Sequence, residues 1–190
     1  VFTSLCLGIA IGAGIVIAQF YGAGDEAGTA SAIRNGSIIS ILSTLIVSVI
    51  ALVVTKPILI LLNTPVSLLE DAAKYMLISL GGLVIVILYY IPFSILRSLG
   101  DAKTPIIFLA VCSILNIVFD LVFVLLFHTG VEGTAVASLL AQGIAGILCF
   151  AYAVKKYSYF EKALKEAVFD KVIAKQILKA CIPMGFQYSL

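Results

Sequence analysis

The sequence predicts an all-α protein, a polytopic bundle of transmembrane helices. Three observations carry that expectation. First, 62% of the 190 residues are hydrophobic and 12% are charged, where soluble domains run near ~45–50% and ~25%; the mean hydropathy is +1.20. Second, the apolar residues gather into stretches near the ~20 residues that a bilayer span needs, with short polar links between them. Third, Lys and Arg are divided unequally between alternate links, as in multi-pass proteins. A helix satisfies its own backbone hydrogen bonds in lipid, and irregular chain does not. The bilayer is therefore the first partner the sequence implies. A net charge of +2 gives no support to a nucleic-acid partner.

The elements follow in order. Val1–Tyr21 is the first span, and its Gly8, Gly12, Ala18 and Gly22 suit close helix packing. Ser37–Val54 is the second, with "KPILILLN" as an interfacial extension. Ala73–Leu96 is the third, and Pro92 in "LYYIPFSILRS" is where a kink is expected. Tyr89 and Tyr90 before it either line a cavity or pack as ordinary aromatics. Pro105–Phe127 is the fourth span and Val131–Val154 the fifth, the latter with Ala137, Ala141 and Ala145 at steps of four. Residues 1–154 thus hold five spans.

Residues 155–176 read as an amphipathic linker. Phe160, Ala163, Leu164, Ala167 and Val168 fall at helical spacing among Lys and Glu, so the linker is expected to lie on the membrane surface. A further span begins near Ile177, and 177–190 is its start. The chain opens on Val with an apolar helix under way and closes on "ACIPMGFQYSL". The expectation is an internal piece of a longer protein.

In the links, Asp25 of "GAGD" and Asp101 of "SLGD" stand where an N-cap would. Ten of the twelve Lys and Arg lie on one side: Arg34, Arg97, Lys103 and the seven lysines from Lys155 to Lys179. Only Lys56 and Lys74 lie on the other. Positive charge marks the cytoplasmic face. The reading is a multi-pass protein of the cell (plasma or inner) membrane, with the Lys-rich linker over 155–179 cytoplasmic.

Of ten acidic residues, Asp120 alone falls deep in a span, within "SILNIVFDLVFVLLFHTG". It lies roughly 22 Å along the helix from Pro105, a little past the midplane. A charge at that depth costs at least ~2.5 kcal/mol. It must face protein or a wet cavity, or carry a proton. Asn116 and Ser113 share its face. The next span carries Thr134, Ser138 and Gln142 at steps of four. A carboxylate, an amide oxygen and a hydroxyl at similar depth are hard ligands suited to a small cation or a proton. The alternative is an Asp held by Asn and Ser only to lock two helices.

Other chemistry is poorly supplied. Cys6, Cys112, Cys149 and Cys181 are scattered in apolar stretches without metal-binding spacing. His128 stands alone at a span end, as an interfacial residue. There is no Gly-rich phosphate loop, no Ser/His/Asp set and no His/Cys metal cluster. An enzyme has almost nothing to work with, and no cofactor or permanently bound metal is expected.

The segments "IAQFYGAGDEAGTASAIRNG", "LRSLGDAKTPIIF", "ILNIVFDLVFV", "GVEGTAVASLLAQ" and "IPMGFQ" together resemble the multidrug and toxin extrusion (MATE) transporters. The resemblance covers nearly the whole chain. It implies a parent of twelve helices in two six-helix lobes, with this chain as the second to sixth helices of the N-lobe plus the start of the seventh. It also implies an antiporter that exports cationic, lipophilic compounds against Na⁺ or H⁺. The family's N-lobe cation site takes an Asp from the first helix, an Asn and an Asp four apart on the fifth, and a Thr on the sixth. Asn116 and Asp120 match the fifth-helix pair, and Ser138 stands in place of the Thr, keeping its hydroxyl. The first-helix Asp lies outside this chain, as would the C-lobe. The alternatives are a related lipid-linked oligosaccharide flippase and a non-transporting scaffold. The flippase is disfavoured because no basic residue falls within a span. The scaffold would leave Asp120 unexplained.

Overall fold

A computed structural model of the chain describes residues 2–61, 65–165 and 167–189. Among the described residues every regular element is helical. The order is α1 (Phe2–Gly22), α2 (Glu26–Leu61), α3 (Val66–Gly81), α4 (Leu83–Ser98), α5 (Lys103–Leu121), a π-helical turn (Val122–Leu126), α6 (Gly130–Lys156), α7 (Ser158–Lys165) and α8 (Lys171–Ser189). Among the described residues, four helices are long and apolar enough to cross a bilayer: α1, α2, α5 with its π turn, and α6. The bent pair α3–α4 makes a fifth crossing if it counts as one span. The chain is a multi-pass, all-α membrane bundle.

Two links share one device. Gly24 and Gly100 both take a left-handed backbone, with φ of 73° and 84°, which glycine adopts without a Cβ clash. Behind each, the Asp amide closes the preceding helix: Asp25 N donates to Phe20 O, and Asp101 N to Leu96 O. The same Asp then opens the next helix, because Asp25 Oδ1 accepts from Gly28 N at 2.8 Å and Asp101 Oδ1 from Thr104 N at 3.0 Å. Both caps were expected. The link after α1 is therefore only a tight turn, and most of "EAGTASAIRNG" is helix. At 36 residues, α2 is about 54 Å long. It outruns a ~30 Å hydrocarbon layer and absorbs the expected extension as far as Leu61, while Leu62 and Asn63 lie outside the described residues.

The core forms where α1 meets α2, α4 and α8. A Cβ on Gly8 would stand 2.6 Å from Met184 O, and one on Gly12 the same distance from Cys181 Cα. These glycines thus let α8 lie directly on α1, as small residues do in membrane helix pairs. Ser94 Oγ donates to Ala10 O (2.7 Å) and Ser98 Oγ to Gly14 O (2.8 Å), fixing α4 against the same helix. Cys181 donates its thiol to Ile9 O. All four cysteines are buried and unpaired by disulfide. Ala137, Ala141 and Ala145 are fully buried, so that stripe also serves packing.

The third span departs from expectation. It is broken at Gly82, with a bend of 43°, and the bend does not lie at Pro92, which is buried inside continuous α4. A glycine pair, Gly81 and Gly82, stands at the break, and a neighbouring helix packs closely on it. Leu139 of α6 presses so close that any Cβ at Gly82 would collide with its side chain. Ser48 Oγ of α2 meanwhile donates to Leu80 O beside the break at 2.6 Å. A carbonyl loosened at the break is thus satisfied from the neighbouring helix.

The linker also differs. Its helix ends at Lys165, and Phe160 and Ala163 turn into the bundle, with Phe160 edge-on to Phe150 at 6.0 Å. Leu164 and Val168 stay exposed. The five apolar positions do not form one membrane-facing stripe, because α7 packs against α2. Residues 171–176, placed with the linker by sequence, are the first turns of α8. Asp170 caps that helix through Val172 N at 2.7 Å, while Asn35 Nδ2 of α2 donates to its carbonyl at 2.9 Å. Glu166, read by sequence as a link residue, lies outside the described residues.

Candidate functional site: the seam between α5 and α6

The carboxylate of Asp120 rides on the last turn of α5. Immediately beyond it the helix widens into the π turn, whose closing bond runs from Phe127 N to Val122 O at 3.2 Å. Turns of this kind recur at functional sites. The chain then reverses within a few residues. His128 takes a left-handed backbone with φ of 50° and Gly130 one of 60°. Thr129 donates both its amide (3.2 Å) and its hydroxyl (2.8 Å) to Phe123 O. This short reversal sets α6 alongside α5.

Across the seam Asn116 Nδ2 donates to Ser138 Oγ at 2.9 Å. Ser138 uses its oxygen as acceptor here, so its hydroxyl proton is left to donate elsewhere. Asp120 Oδ1 is buried and has no hydrogen-bond partner. Gln142 Oε1, one turn beyond Ser138 on α6, is in the same condition, and so is the hydroxyl of Tyr89 on α4. Tyr89 is packed among Cys112 of α5 and Ala141 and Ala145 of α6, with Leu115 and Phe119 at the edge. Gly146 makes that contact possible, since a Cβ there would stand 3.0 Å from Tyr89 Cα.

The residues singled out by sequence therefore divide. Asn116 and Ser138 are joined. Asp120, Gln142 and Tyr89 each present a buried, unpartnered oxygen. Tyr90 meets the Tyr89 ring at 5.3 Å and is half-buried. Ser113 Oγ donates to Leu109 O (3.0 Å) and Thr134 Oγ1 to Val131 O (2.8 Å), so both hydroxyls are held by their own helices. Orphaned buried polar atoms are uncommon and costly, most of all in lipid. Three of them, on Asp120, Gln142 and Tyr89, lie on the helices that enclose this one small cluster. Among the described residues, no group of three or more His, Cys, Asp or Glu stands together as a metal cluster.

A second carboxylate, just before the start of the same helix, behaves differently. Asp101 was read from sequence as a cap and nothing more. Its Oδ2 also accepts from Thr104 Oγ1 (2.7 Å), Lys156 Nζ (2.9 Å) and Tyr157 OH (2.9 Å). Burial pushes the Asp101 carboxyl up, but the bonds from Lys156, Thr104 and Tyr157 together outweigh it and hold it well below the usual carboxylate range. No local pattern could have announced Lys156 and Tyr157, because they come from the far end of α6.

The MatE family model matches residues 1–122, which hold the helices from α1 to Asp120. The "Probable multidrug resistance protein YpnP" of Bacillus subtilis is 31% identical over 121 residues, covering 64% of this chain and 27% of that protein. A MATE multidrug resistance transporter solved in its inward-facing conformation superposes with a TM-score of 0.84 at 26% identity, over 98% of this chain and 43% of its own. A transporter of the wider superfamily from Pyrococcus furiosus, described as having a binding pocket of reverse polarity that suggests a different function, superposes at 0.89 and 25% identity. That match covers 99% of this chain and 42% of the transporter. The chain thus spans about a quarter of the Bacillus relative and less than half of each solved transporter. From the family match over residues 1–122 and the agreement in fold, the chain belongs to the MATE (MatE) family of membrane transporters.

Proposed function

We propose that this chain forms most of the N-lobe of a two-lobe antiporter that exports cationic or lipophilic small molecules in exchange for Na⁺ or H⁺. Its remaining partners are a preceding helix and a C-lobe of the same parent, as the coverage of the solved transporters suggests. The Lys-rich ends of the helices face the cytoplasm, on the strength of the charge asymmetry. The observation that carries the reading is Asp120 Oδ1, buried in a span without a partner. An ionised carboxylate so placed is costly, and binding a proton or a cation relieves that cost. Asn116, Ser138 and Gln142 contribute neutral oxygens toward a hard cation. Ser113, Thr134, Tyr89 and Tyr90 are assigned to the cavity wall rather than to the ion.

The mechanism is alternating access. The lobe with Asp120 charged and the lobe with Asp120 neutralised differ in shape. An ion bound from outside favours one of them, and substrate favours the other. Each ligand moves the equilibrium only by its difference in affinity for the two states. Asp120→Asn keeps size and hydrogen bonding but removes the charge. In the full-length protein, reconstituted in proteoliposomes under an imposed pH or Na⁺ gradient, it should abolish gradient-driven efflux while the protein stays monodisperse. Asn116→Ala and Ser138→Ala should weaken coupling less. Efflux by Asp120→Asn at the parental rate, with the same gradient dependence, would show that Asp120 only locks the helices.

A further inference from the structure

At the Lys-rich end of the bundle, away from the α5–α6 seam, lies a cavity of about 270 Å³ between α2, α4, α6 and α7. Its floor is apolar and buried, formed by Ile95 of α4 and Phe160 of α7, and its rim carries the exposed Phe150 and Leu164. One cation sits in its wall. Arg34 lies roughly two turns into α2. Its Nη1 makes a single long hydrogen bond to Ala163 O on α7, at 3.5 Å, and its Nε is buried with no partner. Among the described residues Arg34 has no carboxylate, whereas each of the five ion pairs belongs to a lysine. A cationic guanidinium with an idle N–H is therefore set in the wall of a mostly apolar hole, whose other polar side chain, Ser37, is turned to its own helix through Ile33 O.

That combination selects a ligand with an anion at one end and a hydrocarbon chain at the other. We propose that the cavity is a site for one anionic glycerophospholipid from the leaflet at the Lys-rich end. The headgroup phosphate accepts from the Arg34 guanidinium, and part of an acyl chain fills the space against Ile95 and Phe160. Three arguments favour this occupant. Arg matches phosphate geometry better than any other side chain. The volume is close to the ~300 Å³ at which small-molecule sites begin. The basic residues of this end enrich anionic lipid around it. The occupant would also bear on α7, which Arg34 already tethers through Ala163 O. The inference stands independently of the antiport reading, because it uses none of the seam residues.

The test is native mass spectrometry of the full-length protein, delipidated in detergent and offered phosphatidylglycerol or phosphatidylcholine with the same acyl chains. The unaltered protein should retain one phosphatidylglycerol about tenfold more strongly than phosphatidylcholine, because both offer a phosphate but only the choline lipid brings a second cation, which the Arg34 guanidinium repels. Arg34→Gln should remove that preference, and Arg34→Lys should keep part of it. Leu164→Asp places a like charge beside the phosphate at an exposed rim position, and should weaken phosphatidylglycerol retention while leaving the protein monodisperse. Equal retention of the two lipids by the unaltered protein would overturn the proposal, as would an unchanged preference in Arg34→Gln. Should Arg34→Gln fail to fold, Leu164→Asp decides: unaltered retention there overturns the proposal equally.

Discussion

Helix α5 carries a carboxylate at each end, and the two ends are built on opposite principles. Asp101, before its first turn, accepts from Thr104 N, Thr104 Oγ1, Lys156 Nζ and Tyr157 OH. Asp120, in its last turn, has a buried oxygen that accepts from nothing. The first end ties the start of α5 to the end of α6, and its charge is fully answered. The second leaves a charge unanswered where answering it matters most. A carboxylate surrounded by donors contributes to folding. One deprived of donors inside a membrane lowers stability, a cost that the proposed ion or proton would offset.

The largest effect should come from Asp101→Ala. It removes a cap and leaves Lys156 and Tyr157 without their acceptor, at a cost of about 3 kcal/mol by the usual size of charged hydrogen bonds and caps. Thermal or denaturant unfolding of the purified protein measures it, and a loss below the error of that measurement would make the Asp101 cluster ornamental. Asp120→Leu should go the other way. Replacing an orphaned carboxylate by an apolar side chain should stabilise the protein by about 2 kcal/mol in the same measurement, even as it removes transport. Destabilisation by Asp120→Leu would mean that Asp120 is bonded after all, and would erase the contrast between the two ends.

Ser138→Ala removes the acceptor of Asn116 and should cost only about 0.6 kcal/mol, the usual size of such bonds between membrane helices. The smallest effect concerns acid. Asp101 is held below its ordinary value of 3.8, so the stability it confers is complete above that value and is lost only as pH falls through the lower, folded-state one. The difference in stability between the unaltered protein and Asp101→Asn should therefore be flat from pH 7 to pH 5. A difference that shrinks by pH 5 would show that the Asp101 carboxyl is not held down.

How much of this was legible beforehand depends on the range of the interaction. The caps at Asp25 and Asp101 were readable because a Gly–Asp step uses backbone groups only a few residues away. The pairing of Asn116 with Ser138 was readable because helical spacing and a short reversal bring two stripes to the same depth. The bend at Gly82 was not, and Pro92 drew the expectation to the wrong place. A proline announces its lost hydrogen bond locally, whereas the close approach of Leu139 to Gly82 comes from another helix. The π turn after Asp120 left no mark in an unbroken apolar run. The linker misled for a related reason. Phe160 has the spacing of a membrane-facing residue, but finds Phe150 and the α2 surface closer than lipid.

By itself, then, the sequence determined the class of protein and the anomalous carboxylate deep in one of its apolar helices. These follow from transfer free energies and backbone hydrogen bonding, which act residue by residue and turn by turn. Only the tertiary structure decided which polar groups are answered and which are not. Asn116 found Ser138, Asp101 found Lys156 and Tyr157, and Asp120, Gln142, Tyr89 and Arg34 were left with idle polar atoms. The physical reason is that the satisfaction of a buried polar atom belongs to its surroundings, which are assembled from helices far apart in the chain.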